Sequence, residues 1–270
     1  MIADGKAIAK RLKGEIAAEV RTRRAPPALT TVQVGDNPVS ERFLAIKKKF
    51  AADIGVPVED LRFPADTRTA EVVACLIEVA GRSNTGVIVQ LPLPPGLAAQ
   101  EILDAVPPAQ DVDVLSEESA RRFEEGAFPI LPTVVGAFRE ILREHGIGMQ
   151  GKRALVVGQG KLVGKPAAMW LARAGALVTV ADRATPGLSA LAREADIIIL
   201  GAGVPGLLKP DMVKEGVIIL DAGTSEQGGK LAGDADPRCA EKAALFTPTP
   251  GGIGPITVAM VFKNLLTLTE

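Results

Sequence analysis

Four short runs in the second half of the chain, apolar except for Thr179, constrain its fold more than any other feature. They cover residues 154–157, 177–180, 197–200 and 217–220, and stretches with helical periodicity separate them. A strand is apolar along its whole length when helices cover both faces of its sheet, as in parallel sheets. The pattern therefore predicts an α/β fold with a parallel sheet in this half.

The first half alternates strands and helices in the same way. Ile8, Leu12, Ile16 and Val20 have helical spacing and predict a first helix. The strands predicted after it cover 28–34, 58–63 and 86–90, and the helices between them cover 40–54 and 69–80.

We therefore expect an α/β protein of two domains, each with a parallel sheet, and a cleft between them. The first domain would cover 1–132 and be completed by a C-terminal helix at 256–270 that packs back on it. The second, at 133–255, would be a Rossmann-type domain that binds NAD or NADP.

Composition excludes several classes of function. The net charge of −1 gives no general attraction to nucleic acid or to an anionic membrane. Apolar runs are too short to cross a bilayer, and Cys75 and Cys239 form no metal or redox motif, so we expect a cytoplasmic protein without a metal site. The chain has one histidine and no tyrosine. Because His145 precedes Gly146 at the end of a predicted helix, a helix-capping role is favoured over catalysis.

A glycine-rich turn follows the first apolar run of the second half. Its spacing is G-x-G-x-x-x-G over residues 158–164, one residue longer than the usual dinucleotide fingerprint. Glycines there allow backbone N–H groups to approach a pyrophosphate, although a purely structural turn has the same appearance. The candidate coenzyme-binding residues are Gly158, Gln159, Gly160, Val163, Gly164, Asp182, Arg183, Gly201, Gly203 and Thr224.

The choice between NAD and NADP depends on two adjacent residues. Asp182 lies two residues after the second apolar run, where an acidic side chain binds the ribose hydroxyls of NAD. Arg183 follows it and can pair with the 2′-phosphate of NADP. We favour NADP, with Arg183 as the phosphate ligand and Asp182 turned away, while NAD stays possible.

Lys47 lies within an apolar helical stripe. At about 100° per residue, Ile46, Phe50 and Ile54 fall within about 60° of Phe43, and Lys47 falls at about 40°. Such a lysine either extends its ammonium to solvent or lies in a cleft with a lowered pKa, ready for proton transfer. Lys48 and Lys49 point away from the stripe and are interpreted as solvated.

Several segments together resemble the bifunctional methylenetetrahydrofolate dehydrogenase/methenyltetrahydrofolate cyclohydrolase family. Residues 40–49 (SERFLAIKKK) are similar to its S-x-x-Y-x-x-x-K-x-K helix, and residues 89–94 reproduce its VQLPLP segment. The other matches are 111–113 with its K-D-V-D-G, 163–166 with its V-G-x-P, and 248–257 with its P-V-P-G-G-V-G-P-M-T.

The resemblance implies an enzyme of one-carbon folate metabolism that supplies purine biosynthesis, with NADP as coenzyme and a homodimeric assembly. It implies that Lys47 is the cyclohydrolase lysine, Gln90 its hydrogen-bonding partner and Asp113 the acid that binds the pterin. A carboxylate suits that last role, because a 2-amino-pyrimidinone edge offers two adjacent N–H donors. The implied substrate-binding residues are Phe43, Pro250, Gly251, Gly252, Gly254, Pro255 and Thr257.

The chain departs from the family pattern near the folate and phosphate sites. Phe43 replaces a tyrosine, Gln110 a lysine, Val114 a glycine and Ser119 an asparagine, and the family's P-C-T-P-x-G is reduced to LPTVVG at 131–136. Gln159 and Gly160 stand where arginine and serine are usual. Two other functions stay open at this point: a shikimate-dehydrogenase-like oxidoreductase with the same architecture, and a catalytically silent folate- or nucleotide-binding module.

Overall fold

The computed structural model describes residues 1–227 and 230–269 and has the predicted α/β architecture. The helices are α1 (Gly5–Thr22), α2 (Pro38–Ile54), α3 (Thr69–Ala80), α4 (Ala99–Asp104), α5 (Glu117–Glu125), α6 (Thr133–Glu144), α7 (Gly164–Arg173), α8 (Leu188–Glu194) and α9 (Ile253–Leu268). The strands are β1 (Ala28–Val34), β2 (Val58–Phe63), β3 (Thr85–Val89), β4 (Arg153–Val157), β5 (Leu177–Ala181), β6 (Ile197–Leu200), β7 (Ile218–Asp221), β8 (Ser225–Gln227), β9 (Lys230–Ala232) and β10 (Leu245–Phe246).

One compact unit consists of Arg11–Thr133 and Val258–Glu270, and it contains a three-stranded parallel sheet. The strand order is β2-β1-β3, so β1 pairs with both neighbours. Val32 of β1, Val89 of β3 and Leu76 of α3 belong to one buried cluster. The carboxyl ends of β1 and β3 are therefore held at one sheet edge.

The other unit consists of Met1–Lys10 and Val134–Thr257, and it contains a five-stranded parallel sheet in the order β10-β7-β6-β4-β5. The chain runs from β4 through α7 to β5 on one side, then crosses back to β6 on the other side of β4. Such a reversal of strand order creates a crevice at the carboxyl end of β4, where α/β proteins bind ligands. The turn at 158–164 lies at this point.

The first ten residues cluster with the second unit, although the sequence assigned them to the first domain. Ala3 N–H donates to the Phe246 carbonyl at 2.8 Å, and Phe246 N–H donates to the Met1 carbonyl at 2.9 Å. The N-terminal segment thus lies beside β10 as an additional edge of the sheet. No local pattern indicates this pairing, because it joins opposite ends of the chain.

One expectation for the sheet is wrong. Residues 177–180 were predicted to be buried on both faces, yet Leu177 is 64% exposed and Val180 is 43% exposed. The reason is that β5 is an edge strand, so helices cover it less completely than they cover β4 and β6. The structure also contains α4, α5 and the antiparallel pair of β8 and β9, which the sequence patterns did not predict.

Candidate active and coenzyme-binding sites

The helix that carries Lys47 is fixed at both ends by its own sequence. Asn37 caps its start by accepting hydrogen bonds from the N–H groups of Val39 and Ser40, and Pro38 occupies the first turn. Gly55, at a φ of 78°, ends it in the left-handed conformation.

Lys47 lies at the centre of the buried face of α2. With Phe43 at 0°, that face centres on about 50° and Lys47 lies at about 40°. The apolar stripe inferred from the sequence was wrong in one member, since Ile46 is 52% exposed. The buried members are Ser40, Leu44, Phe50, Ala51 and Ile54.

Lys47 and Gln90 form a hydrogen-bonded pair. The Lys47 Nζ donates to Gln90 Oε1 at 3.1 Å, and Gln90 Nε2 donates to the Leu91 carbonyl at 2.8 Å. The second bond fixes which amide atom faces the lysine. Although part of Lys47 reaches solvent, burial lowers the pKa of its ammonium, and the negative charge of Asp113 opposes that effect. A lysine whose pKa is lowered by burial is better suited to proton transfer than a solvated one.

Asp113 lies in the loop between α4 and α5. Its Oδ1 accepts a hydrogen bond from Thr133 Oγ1 at 3.0 Å. Thr133 opens α6 and was not among the predicted site residues, although it belongs to the LPTVVG segment. The hydrogen bond from Thr133 thus orients one carboxylate oxygen of Asp113. The shape of the loop that carries Asp113 depends on other residues nearby.

Asp111 organises this loop from within. It is 4% exposed, and its carboxylate accepts hydrogen bonds from the N–H groups of Leu115 and Ser116 and from Ser116 Oγ at 2.8 Å. Burial raises the pKa of Asp111, and the hydrogen bonds from Ser116 act in the opposite direction. The two acids of the DVD segment therefore have different surroundings: Asp111 is buried within the loop, and the charge of Asp113 acts on Lys47.

Asn264 of α9 also holds the loop, and sequence reasoning missed it. Its Nδ2 donates to the carbonyls of Val112 and Leu131, both at 2.8 Å. These carbonyls neighbour Asp113 and Thr133 in sequence. The sequence signal was an amide within a largely apolar helix.

The basic residues beside Lys47 are not all solvated. Lys48 forms an ion pair with Asp60 at 2.5 Å, and Arg62 links Asp60 to Glu41. This network joins the other side of α2 to β2. Lys49 is exposed, as expected.

The turn at 158–164 is sterically restricted to glycine at two positions. A Cβ on Gly158 would lie 2.4 Å from the Gly201 carbonyl oxygen, and one on Gly164 would lie 1.9 Å from the Gly158 carbonyl oxygen. Gly160 and Gln159 are exposed, and nothing lies near a Cβ at Gly160. Helix α7 begins at Gly164 without a side-chain cap. The glycines let a pyrophosphate approach the backbone closely, and the positive end of the helix dipole favours its charge, so this cradle fits a dinucleotide.

Asp182 and Arg183 follow β5 in a tight turn. Asp182 Oδ1 accepts hydrogen bonds from Ala184 N–H at 2.9 Å and from Thr185 Oγ1 at 3.0 Å. Arg183 is exposed. One carboxylate oxygen of Asp182 thus accepts hydrogen bonds within the turn that exposes Arg183 to solvent. Thr224, which follows β7, is also exposed.

Two buried aspartates at the same sheet edge were missed. Asp234 is 0% exposed and accepts hydrogen bonds from three successive backbone N–H groups, those of Ala202, Gly203 and Val204. Asp221 ends β7 and accepts hydrogen bonds from Gly223, Asp234 and Ala235. Burial raises the pKa of Asp221 to about 6. For Asp221, the sequence signal was its position directly after an apolar run.

The predicted folate loop at 250–257 is closely packed at its start. A Cβ on Gly5 would lie 1.8 Å from the Gly252 carbonyl oxygen, so the start of α1 touches the loop. Gly251 has a φ of 107°. Helix α9 begins at Ile253, before the predicted start at 256, so Pro255 is its third residue. Proline still fits there, because the first four N–H groups of a helix make no bond within it. Gly254 is exposed, and Thr257 Oγ1 donates to the Ile253 carbonyl.

Residues 1–227 and 230–269 contain no group of three or more His, Cys, Asp or Glu side chains arranged to hold a metal ion. Within the same ranges, no helix is long and apolar enough to cross a membrane.

Two family models cover most of the chain. The model for the catalytic domain of tetrahydrofolate dehydrogenase/cyclohydrolase matches residues 3–113, and the model for the NAD(P)-binding domain of the same family matches residues 132–270.

Curated relatives match over the full length. The bifunctional protein FolD of Chloroflexus aurantiacus is 37% identical over 100% of this chain and 97% of its own. That of Sorangium cellulosum is 39% identical over 100% of this chain and 96% of its own.

Solved structures agree. The bifunctional FolD enzyme of Campylobacter jejuni has a TM-score of 0.96 at 32% identity, covering 100% of this chain and 98% of its own. The Trypanosoma brucei enzyme, solved with NADP and an inhibitor, has a TM-score of 0.95 at 33% identity and covers 100% of this chain and 97% of its own. Shikimate 5-dehydrogenase of Thermus thermophilus reaches only 0.56 at 21% identity, over 90% of this chain and 93% of its own, so it shares the fold alone.

Proposed function

Because this chain belongs to the tetrahydrofolate dehydrogenase/cyclohydrolase family, we propose that it oxidises 5,10-methylenetetrahydrofolate to 5,10-methenyltetrahydrofolate with NADP. It then hydrolyses that product to 10-formyltetrahydrofolate. The Lys47–Gln90 pair carries the proposal, because it supplies the proton-transfer group that hydrolysis needs.

The oxidation needs little help from acids or bases. Bound NADP would supply the hydride acceptor for the methylene carbon, and the lone pairs of the two nitrogens that flank this carbon would stabilise the resulting cation. The protein's contribution is to hold two molecules in the correct orientation. This requirement agrees with a chain that has one histidine, placed directly after α6.

The hydrolysis requires movement of protons. Water adds to the methenyl carbon, the bond from that carbon to N5 breaks, and the formyl group stays on N10. Lys47 takes a proton from the attacking water and returns it to the departing N5, while Gln90 holds the lysine in place. The remaining hydroxyl proton of the adduct is released to solvent as the formyl C=O forms. Asp113 binds the pterin edge through its two oxygens. Phe43 and the residues of the 250–257 loop named above complete the folate contacts.

The coenzyme is NADP. Gly158–Gly164 and the α7 N-terminus bind the pyrophosphate, and Gly201, Gly203 and Thr224 lie along the same sheet edge. Arg183 pairs with the 2′-phosphate, while its neighbour Asp182 is occupied within its own turn. The Trypanosoma brucei structure with NADP supports this choice.

We assign the remaining family properties on the same basis. The chain forms a homodimer in the cytoplasm, takes tetrahydrofolate derivatives as substrates and binds neither nucleic acid nor membrane. Residues 133–255 form the coenzyme-binding domain, and the first domain is completed by the C-terminal helix. Light scattering after size-exclusion chromatography measures the assembly directly.

The activity is tested by following methenyltetrahydrofolate absorbance with NADP and with NAD in parallel, and by following hydrolysis of preformed methenyltetrahydrofolate. We expect oxidation with a preference for NADP, and hydrolysis without any coenzyme. Absence of both reactions from folded protein would refute the proposal.

The coenzyme assignment has its own test in Arg183→Ala. Loss of the arginine–phosphate pair should lower kcat/KM for NADP by about tenfold and leave that for NAD nearly unchanged. Arg173→Ala, at the other end of α7 from the glycine turn, is the control. An intact NADP preference in Arg183→Ala would contradict the assignment.

A further inference from the structure

The loop after β6 resembles an anion-binding site that the protein has filled itself. The N–H groups of Ala202, Gly203 and Val204 all point at the Asp234 carboxylate, at 2.7, 3.0 and 2.7 Å. Successive N–H groups that converge in this way form a concave site for an anion. Here the anion is a side chain from 30 residues further on, fully removed from solvent.

This loop packs directly against the glycine turn. A Cβ on Gly201 would lie 2.5 Å from Val163 Cγ1, and the Gly201 carbonyl oxygen occupies the space beside Gly158 that any larger residue would need. A change in the path of residues 201–204 would therefore displace the turn that leads into α7.

Asp234 is itself fixed from several sides. Its N–H donates to Asp221 Oδ1 at 3.2 Å, and its carbonyl accepts from Leu208 N–H at 3.0 Å. A Cβ on Gly223 would lie 2.4 Å from its carboxylate. From the other side of the loop, Ser225 Oγ donates to the Gly203 carbonyl at 3.1 Å. The carboxylate thus links three loops at the carboxyl edge of the sheet.

We infer that Asp234 is a positioning residue for coenzyme binding. It holds Gly201 and Gly203 in the conformation that binds the dinucleotide, and through these two residues it also holds the glycine turn at 158–164 in place. The inference rests on the proposed function, since it assigns a role within the same coenzyme site. Asp234 acts through the backbone and does not touch the coenzyme.

The test is Asp234→Asn. An asparagine of the same shape has one acceptor oxygen, so at least one of the three N–H groups would face an N–H₂ donor instead. We expect Kd and KM for NADP to rise about tenfold, with kcat within about twofold of wild type. Hydrolysis of preformed methenyltetrahydrofolate should be unchanged, because it needs Lys47, Gln90 and Asp113 but no coenzyme.

Asp236→Asn is the matched control. It makes the same substitution two residues away, in a side chain that caps a short helical turn and pairs with Arg238. It should lower thermal stability without altering the Kd for NADP. Wild-type Kd in folded Asp234→Asn would overturn the inference, and so would an equal loss in both variants.

A second variant keeps the test decisive if Asp234→Asn does not fold. Ser225→Ala removes one hydrogen bond from the same loop, and the KM for NADP should rise twofold to fivefold. No rise would overturn the inference. A wild-type protein that neither binds NADP nor oxidises methylenetetrahydrofolate would instead refute the proposed function, so the two failures are distinguishable.

Discussion

Lys47 shows how the surroundings of one side chain decide its chemistry. Three consecutive lysines share one helix, yet Lys47 bonds Gln90, Lys48 pairs with Asp60 and Lys49 is exposed. Desolvation lowers the pKa of Lys47, and the negative charge of Asp113 opposes that effect. The rotation of α2 therefore determines which lysine can serve as a base.

Lys47→Met should lower the rate of methenyltetrahydrofolate hydrolysis at least about a hundredfold, in effect abolishing it, because general acid–base catalysis contributes a factor of that size. The fold should survive, since an unbranched apolar chain fits the buried face. Lys48→Met is the control and should be nearly silent, because surface ion pairs contribute at most about 1 kcal/mol. Equal losses of hydrolysis in the two variants would contradict the assignment of the catalytic face.

Val114 has an unusual backbone conformation for its residue type. Its φ is 60° although it is a buried, β-branched residue, and it stands where the resembled family has glycine. A side chain in the left-handed region costs roughly 1–2 kcal/mol. The loop of Asp113 thus contains a strained residue that its neighbours hold in place.

Val114→Gly should be more stable than Val114→Ala by about 1 kcal/mol, because both lose the isopropyl group but only alanine keeps the strain. The reverse order holds in an ordinary helix, so Ala120→Gly in α5 should lose about 1 kcal/mol. Urea unfolding of the three variants measures these differences. A Val114→Ala variant as stable as Val114→Gly would disprove strain at this position.

At the scale of elements, α9 contributes more than apolar packing. Its Asn264 amide holds the loops that lead to Asp113 and Thr133, and its Phe262 ring stacks on Phe50 of α2 with centroids 5.0 Å apart. The helix therefore supports both the lysine helix and the acidic loop.

Asn264→Leu should destabilise the protein by about 2 kcal/mol, because two buried carbonyls lose their donor. The Kd for folate should also rise, as the Asp113 loop loosens. Asn264→Asp should be worse, since it places a carboxylate against two carbonyl oxygens. Thr267→Val on the same helix is the control. If Asn264→Asp were as stable as wild type, the bridging hydrogen bonds would not matter.

At the scale of the whole molecule, buried acids make stability depend on pH. Burial raises the pKa of Asp221 from 3.8 to about 6, and nearby Asp234 adds to the effect. Between those values the folded chain binds a proton that the unfolded chain does not. The contribution of Asp221 to the free energy of unfolding therefore falls as pH rises from about 4 to 6 and stays low above that range.

Titration of Asp221 should lower the free energy of unfolding by at most about 1.4 kcal/mol per pH unit in this range, and Asp221→Asn should remove this dependence. Fluorescence of Trp170, the only tryptophan, reports unfolding of the unit that contains Asp221. Asp236→Asn is the control, because Arg238 holds the pKa of Asp236 at about 2, outside this pH range. Identical slopes in wild type and Asp221→Asn would show that Asp221 does not titrate there.

The sequence by itself determined the alternation of strands and helices, the family and the glycine turn. These are local properties: a continuous apolar run, a capped helix and a glycine at a crowded turn are each specified by a few adjacent residues. Lys47 could be singled out for the same reason, because helical periodicity places it among apolar neighbours without knowledge of the fold.

Only the tertiary structure decided which distant residues support the site. The pairing of Met1 and Ala3 with Phe246, the Asn264 bridge and the Asp234 carboxylate each join segments that are far apart in sequence. A buried polar group needs a partner, but its own residue type does not say where that partner lies. Exposure of β5 was likewise decided by strand order, because an edge strand and a central strand have the same local pattern.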